Sequence, residues 1–508
     1  MLTHGNMSIY AYLEKQEKKY KEKPFLFFED QVITYEGMFK QANRTAAWLE
    51  EKGIKKGDVV TVMIKNCPIF YDIWFGCAAL GAILLPVNTA TTATELEYFL
   101  EHSESKGIIF DKSLVNDAHK EVMEKCDLRF RNDMSGEWMN EVSQKSDEKH
   151  DKEVNASDVA GLMYTSGTTA KPKGVLITHE NYLYAGHSSV LYQQLTPEDR
   201  YLIFLPLFHV NSQYYTSMAT LVVGGTIVLL ESFKASTFWE TVDRYKPTVT
   251  SLVATIIKIL IRREPKEIEK NNSLRQAGYG LFVPTHEVRE FEERFNIKLF
   301  QWFGMTESIT TNITTPLYAD MPVDEETGIL SIGKPALGQE VKIVDEDGNE
   351  VPFGEVGEII IKNPSLMKGY YKNEKETKKT LKDGWLYTGD NGYMNEEGYI
   401  WFVDRNKDMI KRAGENISSV EIENVLSEHP SVNHCAVIAA PDEIREEKVV
   451  VYIQTDDKNV TEDDIKEFCK GKLSNFKIPE EVYFVDDFPR TSIGKIQKNL
   501  LRKNYEEK

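Results

Sequence analysis

The chain has 508 residues and a formal charge of -19, from 61 lysine and arginine against 80 aspartate and glutamate residues. That length exceeds one compact core, so we expect at least two domains with room for a cleft between them. The acidic balance argues against nucleic-acid and anionic-membrane partners, and charged and hydrophobic fractions of 28% and 41% exclude wholesale disorder and a fibrous architecture.

The cysteines and the most apolar segment bear on the cellular compartment of the protein and on whether it crosses a membrane. The five cysteines are scattered and contain no C-x-x-C pair, which favours a reducing compartment over a disulfide framework or a zinc site. The N-terminal region lacks a charged-then-apolar signal pattern. The apolar segment 69–87 is interrupted by Asp72 and reaches Pro86. We therefore predict a buried helix there, a cytoplasmic protein and no membrane role.

The first part of the chain alternates short apolar runs with stretches of helical period. The pattern predicts strands at 59–64, 82–87 and 107–110 and a helix at 35–53. Such alternation is typical of an α/β sheet. A dense charge run at 144–153 is interpreted as a solvated linker that separates two sheet-forming blocks.

A second alternating block follows the charge run. Strands are predicted at 201–207, 226–230 and 248–253, with a helix at 234–246. Turn signals between alternating strands in residues 332–362 then predict a small β-rich unit.

The last hundred residues change in character and predict a separate domain. A strand, a charged turn and an amphipathic helix follow one another in residues 401–430, which puts a boundary near residues 404–407. Further strands are predicted at 435–440, 449–454 and 481–485. We therefore predict an α/β fold, with a large N-terminal domain (1–404) of two α/β subdomains plus the β-rich unit, and a small C-terminal α+β domain (405–508).

The strongest local signal is a loop rich in hydroxyls, glycines and lysines. An apolar strand runs into this loop, and a second strand leaves it after Lys173. The loop can present backbone N–H groups, hydroxyls and positive charge to a polyphosphate. It is not a Walker A loop, because no G-x-x-x-x-G-K-[ST] string occurs and a strand follows it. The loop residues expected to bind phosphate are Thr165, Ser166, Gly167, Thr168, Thr169 and Lys173.

This loop, YTSGTTAKPKG, resembles the phosphate-loop signature of the acyl-adenylate-forming superfamily. Four further motifs resemble those of the superfamily in the expected order: QWFGMTES (301–308), YTGD (387–390), DRNKDMIKRAGENI (404–417) and PRTSIGKIQK (489–498). Within the superfamily, the sequence looks most similar to crotonobetaine/carnitine-CoA ligases and medium-chain acyl-CoA synthetases. The resemblance implies a mobile C-terminal domain and ATP-dependent ligation of a small carboxylic acid to coenzyme A, with Mg²⁺ as the metal.

The resemblance also implies roles for particular residues. Attack of a carboxylate on the α-phosphorus of ATP builds negative charge, which positive groups must stabilise. The catalytic residues are then Lys495, Thr306 and Glu307, with Glu307 also as the Mg²⁺ ligand. Further nucleotide contacts are Phe303, Gly304, Asp390 and Arg405. The hinge is Lys407, and the loop for thioester formation is Gly414, Glu415 and Asn416. The residues expected to face the acyl group are His209, Val210, Trp302 and Met305.

Other functions share part of this pattern. An adenylation enzyme that loads a carrier protein has the same motifs and differs only in its thiol acceptor. A non-catalytic acyl-adenylate or nucleotide-binding regulator is disfavoured by the joint presence of Lys495 and Glu307. The oligomeric state is left open, with a homodimer as one possible assembly. Asp404 stands where many relatives have glycine, and the sequence does not explain this difference.

Overall fold

The computed structural model describes residues 6–165, 172–280, 282–317, 319–412, 415–442, 444–491 and 495–507. Its helices are α1 (Ile9–Tyr20), α2 (Tyr35–Glu51), α3 (Pro68–Leu80), α4 (Ala93–Ser103), α5 (Asp117–Lys125), α6 (Gly136–Ser143), α7 (His179–Gln193), α8 (Met218–Val223), α9 (Phe238–Tyr245), α10 (Ala254–Arg262), α11 (Thr285–Phe295), α12 (Glu374–Thr380), α13 (Ser419–Ser427), α14 (Glu462–Cys469) and α15 (Lys498–Glu506). A π-helix spans Asn211–Ser217 and runs into α8.

The strands are β1 (Pro24–Phe28), β2 (Gln31–Thr34), β3 (Val59–Met63), β4 (Ile83–Pro86), β5 (Gly107–Phe110), β6 (Phe130–Asp133), β7 (Val159–Thr165), β8 (Lys173–Thr178), β9 (Arg200–Ile203), β10 (Thr226–Leu229), β11 (Val249–Val253), β12 (Gln276–Gly280), β13 (Lys298–Phe303), β14 (Ile313–Thr314), β15 (Lys334–Pro335), β16 (Glu340–Val344), β17 (Gly357–Lys362), β18 (Gly369–Tyr370), β19 (Leu381–Lys382), β20 (Trp385–Met394), β21 (Ile400–Arg405), β22 (Ile410–Arg412), β23 (Glu415–Ile417), β24 (His434–Asp442), β25 (Glu446–Gln454) and β26 (Glu481–Val485).

Two large sheets with parallel centres form most of the molecule. One has the described order β15-β14-β13-β12-β11-β9-β10-β1-β2, and the other has the order β18-β8-β7-β4-β3-β5-β6. Helices connect the parallel strands, as crossover connections require. The predicted α/β class is confirmed.

Helix α3 lies in the largest hydrophobic cluster, which it shares with α2. It starts with Pro68 at its first turn and ends at Gly81, which has a positive φ of 70°. All its residues except Ile69 are buried, so a buried helix is confirmed for the first part of segment 69–87, whereas Ile83–Pro86 forms β4. Among the described residues, no helix combines the length and apolar character needed to cross a bilayer.

The prediction that residues 144–153 separate two sheet-forming blocks is wrong. Strands β7 and β8, which follow this segment, belong to the same sheet as β3 to β6, whereas β1 joins the other sheet beside β10. Local periodicity identifies strands but carries no information on their partners across the fold. The segment also contacts α2, because Asn43 donates to the backbone oxygen of Asp147 at 3.0 Å.

The predicted β-rich unit is confirmed as an antiparallel sheet of β16, β17, β19, β20 and β21. The chain leaves this sheet at Arg405 and enters the last sheet at Ile410. That last sheet, β22 to β26, packs against α13 and α14 around its own apolar cluster. The division into domains at residues 404 and 405 stays a prediction.

Candidate active site

The phosphate loop joins two antiparallel strands, as the sequence predicted. Thr165 ends β7 and is the register partner of Lys173, the first residue of β8. The predicted phosphate-binding residues Ser166, Gly167, Thr168 and Thr169 lie outside the described residues.

The Lys173 ammonium group lies over the ring of Tyr370, with Nζ 4.4 Å from the ring centroid. It is also 3.5 Å from the Glu376 carboxylate. A cation over an aromatic face is held by the negative potential of the ring. Lys173 is thereby held at the base of the loop, with its side chain 29% exposed.

Glu307 is a buried carboxylate in the turn after β13. The Tyr370 hydroxyl donates a hydrogen bond to Oε1 of Glu307 at 2.9 Å, and the backbone N–H of Met367 donates to the Glu307 carbonyl oxygen at 2.9 Å. Burial raises the pKa of Glu307, while Tyr370 and Lys173 oppose that rise and Asp390 adds to it. A carboxylate desolvated in this way gains from a neighbouring cation.

Glu307 is suited to hold Mg²⁺ together with phosphate oxygens. The ion needs only one or two carboxylates when phosphates and water supply its other ligands. Among the described residues there is no group of three or more His, Cys, Asp or Glu side chains that could hold a metal ion. A single carboxylate such as Glu307 fits a metal that arrives with a nucleotide.

Asp390 and Arg405 face each other across β20 and β21. They are register partners, and the Arg405 Nε atom is 3.3 Å from Oδ1 of Asp390. Burial raises the pKa of Asp390, and the charges of Arg405, Lys495 and Lys407 oppose that rise. The turn before it needs a glycine, since Gly389 has a φ of +73°.

Lys495 reaches this pair from the C-terminal domain. Its backbone N–H donates to Oγ1 of Thr491 at 3.1 Å, and the Thr491 N–H donates to the Lys495 carbonyl oxygen at 2.7 Å. Burial first and Arg405 second lower the pKa of Lys495 to about 8, against the opposing effect of Asp390. An ammonium group with a lowered pKa among other cations is poised for an anionic ligand.

These charged groups lie close enough to affect one another's pKa. Lys495, Arg405 and Lys407 oppose the rise in the pKa of Asp390, and Asp390 and Lys173 have opposite effects on the pKa of Glu307. The structure therefore brings together residues from all five sequence motifs. Lys407 itself has a lowered pKa, through desolvation and the nearby Arg405.

Phe303, Gly304 and Thr306 lie in sequence beside Glu307. The Phe303 ring ends β13 and is 6.5 Å from the ring of Phe402, in a tilted arrangement. Gly304 packs closely against two neighbouring atoms, since a Cβ there would meet the Tyr215 hydroxyl at 2.7 Å and the Thr310 carbonyl oxygen at 2.9 Å. Only glycine allows the chain to approach these atoms so closely.

The four residues expected to face the acyl group lie in two segments. His209 and Val210 come directly before the π-helix, and Trp302 and Met305 flank Gly304. Desolvation lowers the pKa of His209 to about 4, so its imidazole is neutral at physiological pH. The Trp302 ring contacts the Tyr215 ring at a centroid distance of 5.2 Å.

The predicted thioester loop is a surface hairpin. Glu415 and Asn416 are exposed in β23, which pairs with β22, and Gly414 lies outside the described residues. None of the described hydrogen bonds or ion pairs joins Glu415 or Asn416 to Lys495 or Asp390. Lys495, by contrast, is near enough to Asp390 to oppose the rise in the pKa of that carboxyl group.

Sequence reasoning missed Tyr370, which contacts both Glu307 and Lys173. It lies 63 positions after Glu307, on the edge strand β18 that pairs with β8. No spacing rule links a tyrosine in the string KGYYK to a carboxylate that distant. The pairing of β18 with β8 brings Tyr370 to Lys173, and the hydrogen bond from the Met367 N–H to the Glu307 carbonyl oxygen brings it to Glu307.

Lys173, Arg405 and Lys495 around the buried carboxylates Glu307 and Asp390 form a site suited to an anionic ligand. Two family models match the chain: AMP-binding enzyme over residues 13–371, and AMP-binding enzyme C-terminal domain over residues 421–495. The chain belongs to the AMP-binding enzyme family. The resemblance inferred from the five motifs is thereby confirmed.

Individual relatives agree with this assignment. The crotonobetaine/carnitine–CoA ligase of Proteus mirabilis is 34% identical over 506 residues, covering 95% of this chain and 96% of that protein. The ATP-bound MatB structure from Rhodopseudomonas palustris has a TM-score of 0.91 at 27% identity, covering 99% of both chains. The same protein without ligand has a TM-score of 0.78. The Bacillus subtilis o-succinylbenzoate CoA synthetase MenE, in complex with its acyl-adenylate OSB-AMP, has a TM-score of 0.86 at 30% identity and covers 98% of both chains.

Proposed function

We propose that this chain is an ATP-dependent acid–CoA ligase, which adenylates a small carboxylic acid and transfers its acyl group to coenzyme A. The observation that carries the proposal is the proximity of Lys495, Arg405, Asp390 and Glu307 in an AMP-binding enzyme, and we infer that these residues line one crevice. The reaction releases pyrophosphate in its first half and AMP in its second. The relatives named CoA ligases support the thiol acceptor.

In the first half-reaction, a carboxylate oxygen attacks the α-phosphorus and pyrophosphate leaves. Two anions meet, so the catalyst must supply positive charge at the phosphoryl oxygens. Lys495 supplies that charge from the C-terminal domain, and Thr306 donates a hydrogen bond to an α-phosphate oxygen. Lys173 and the loop that starts at Thr165 hold the departing pyrophosphate.

The nucleotide is held by the remaining residues of the crevice. Asp390 accepts hydrogen bonds from the ribose hydroxyls, and Arg405 holds Asp390 ionised. Phe303 covers one face of the adenine, with Gly304 beside it. Glu307 holds Mg²⁺, which supplies additional positive charge to the phosphates when bound.

In the second half-reaction, the thiolate of coenzyme A attacks the acyl carbon and AMP leaves. The thiol needs a path to the acyl-AMP, so the C-terminal domain turns about Lys407 and brings Gly414, Glu415 and Asn416 to the site. The higher TM-score with ATP-bound MatB than with its ligand-free form supports an arrangement suited to adenylation here. This rotation would take place at the predicted domain boundary between residues 404 and 405.

The acid is small, and betaine-type or short- to medium-chain acids are the first candidates. The relatives named crotonobetaine/carnitine–CoA ligases support this choice. His209, Val210, Trp302 and Met305 would face the acyl group. We further propose a cytoplasmic location, and a homodimer as the assembly. Light scattering on the purified protein would test the oligomeric state.

The test measures pyrophosphate and acyl-CoA with a panel of acids. We expect CoA-dependent turnover with crotonobetaine, carnitine or a short or medium alkanoate, and little with aryl or amino acids. Good turnover with aryl or amino acids alone would overturn the substrate class. Acyl transfer to a phosphopantetheinylated carrier but not to CoA would favour a carrier-loading enzyme, and no adenylation with any acid would favour the non-catalytic regulator.

A further inference from the structure

Three buried polar atoms, two on the π-helix and one in the segment after Glu307, have no hydrogen-bond partner among the described residues. They are the hydroxyl of Tyr215, Oδ1 of Asn211 and Oγ1 of Thr310. Tyr215 is only 4% exposed and Thr310 is 0% exposed. Buried polar groups are almost always paired, so unpaired ones in one place indicate where a ligand supplies the partner.

The Tyr215 hydroxyl and the Thr310 backbone lie close to Gly304, which precedes Thr306 and Glu307. The Tyr215 hydroxyl lies 2.7 Å, and the Thr310 carbonyl oxygen 2.9 Å, from the point where a Cβ on Gly304 would stand. Asn211 precedes Tyr215 by four residues in the π-helix Asn211–Ser217, which is close to one turn. The two side chains therefore project from one side of that helix. Insertions of this helix type often occur at functional sites.

Large rings limit the space beside these groups. Trp302 contacts Tyr215 at 5.2 Å between centroids. The Trp302 ring also packs against Gly278, where a Cβ would lie 2.5 Å from the ring. A long alkyl chain would have to displace one of these buried rings, whereas a short acid would not.

Other hydrogen bonds fix the segments that carry Tyr215 and Thr310, and these bonds do not involve the unpaired atoms. The Tyr215 carbonyl oxygen accepts a hydrogen bond from Nε2 of Gln193 at 3.1 Å. The hydroxyls of Tyr192 and Thr311 are 2.9 Å apart, which fixes the residue after Thr310. The polar atoms are therefore presented by a fixed framework, as ligand recognition requires.

Resting on the proposed ligase function, we propose that Tyr215 is a specificity-determining residue. Its hydroxyl, supported by Asn211 and Thr310, binds an oxygen-bearing substituent, a hydroxyl or carbonyl, on a short carboxylic acid. A site built to hydrogen-bond a substrate group disfavours the analogue that lacks the group, because the protein's polar atoms are then left unpaired. The enzyme should therefore prefer an oxygenated short acid to the corresponding alkanoate.

The test compares kcat/KM for 3-hydroxybutanoate and 4-hydroxybutanoate with that for butanoate, measured as CoA-dependent pyrophosphate release. We expect the wild-type enzyme to favour at least one hydroxy acid by about tenfold or more. Tyr215→Phe should reduce that ratio about tenfold while kcat/KM for butanoate is kept or rises. Thr310→Val, a second variant of similar shape, should lower the ratio in the same direction.

The matched control is Tyr71→Phe. Tyr71 is buried, and its hydroxyl lies 2.7 Å from Oγ of Ser217 on the same π-helix, so it has a partner. This variant should leave the ratio between the acids unchanged. An unchanged ratio in Tyr215→Phe, or a wild-type ratio near one with good turnover of butanoate, would overturn the inference alone. Failure of every acid to give acyl-CoA would instead overturn the proposed function.

Discussion

Asp404 and Ser419 are joined across the predicted domain boundary by two hydrogen bonds. Oδ2 of Asp404 accepts from the Ser419 N–H at 2.7 Å and from its hydroxyl at 2.6 Å. The ammonium group of Lys498 donates to the same Ser419 hydroxyl at 2.6 Å and pairs with Glu423 at 2.7 Å. Asp404 belongs to β21 of the large domain and Ser419 opens α13 of the small one. The residue that the sequence left unexplained therefore links the two parts.

Removal of this link should slow adenylation more than thioester formation. A hydrogen bond to a charged group contributes about 1.5–3 kcal/mol, so Asp404→Ala should lower the adenylation rate by about tenfold or more. Thioester formation from supplied acyl-AMP and CoA should not slow, since that step needs the small domain to turn. Stopped-flow assays of the two half-reactions measure this. Glu346→Ala, on an exposed turn, is the control and should leave both rates unchanged. An equal loss of rate in both half-reactions of Asp404→Ala would contradict a specific role of the link in adenylation.

Tyr370→Phe should weaken adenylation while the fold is kept. The phenyl ring still lies under Lys173, but the hydrogen bond to Glu307 is lost from a buried carboxylate. Loss of such a bond to a charged group costs about 1.5–3 kcal/mol, which corresponds to about 10- to 150-fold in kcat/KM for MgATP. We expect a raised Mg²⁺ requirement, measured by titration of the metal.

The adjacent Tyr371→Phe provides the control for this variant. The Tyr371 hydroxyl donates to the Ser103 carbonyl oxygen at 3.5 Å and makes no described contact with Glu307. Its loss should leave kcat/KM for MgATP within about twofold, as expected for a long, weak bond. Equal effects of the two substitutions would reject a specific role for Tyr370.

The rate of adenylation should fall at alkaline pH. The pKa of Lys495 is lowered to about 8, so the ammonium form dominates below that pH and is lost above it. Since kcat/KM reports ionisations of the free enzyme, kcat/KM for ATP should decline about tenfold per pH unit above about 8. His209, with a pKa of about 4, adds no change between pH 5 and 9.

Lys495→Arg should remove this alkaline decline, at a lower overall rate. Arginine stays protonated throughout the measured range, but its planar group does not reproduce the ammonium geometry. A pH–rate profile from pH 6 to 10 for both proteins tests this. An alkaline decline of the same shape in the arginine variant would assign the ionisation to another group.

Much of the fold and site could be predicted because the informative patterns are local. The strand–loop–strand at Thr165 and Lys173 and the buried helix α3 follow from hydrophobic periodicity and turn residues. Strand pairing could not be predicted this way, and so the predicted separation of two sheet-forming blocks at residues 144–153 was wrong. The contacts of Tyr370 with Glu307 and of Asp404 with Ser419 likewise depend on the packing of distant segments.

The most direct measurement is the effect of Lys495→Ala on the two half-reactions, beside Lys503→Ala, whose side chain is 69% exposed. Loss of a charge that stabilises the transition state should reduce acid-dependent pyrophosphate release by about a hundred- to a thousandfold. Thioester formation from supplied acyl-AMP and CoA should stay within about threefold of wild type, as should both reactions in Lys503→Ala. Undiminished pyrophosphate release by Lys495→Ala would contradict adenylation by a lysine carried into the crevice on the C-terminal domain.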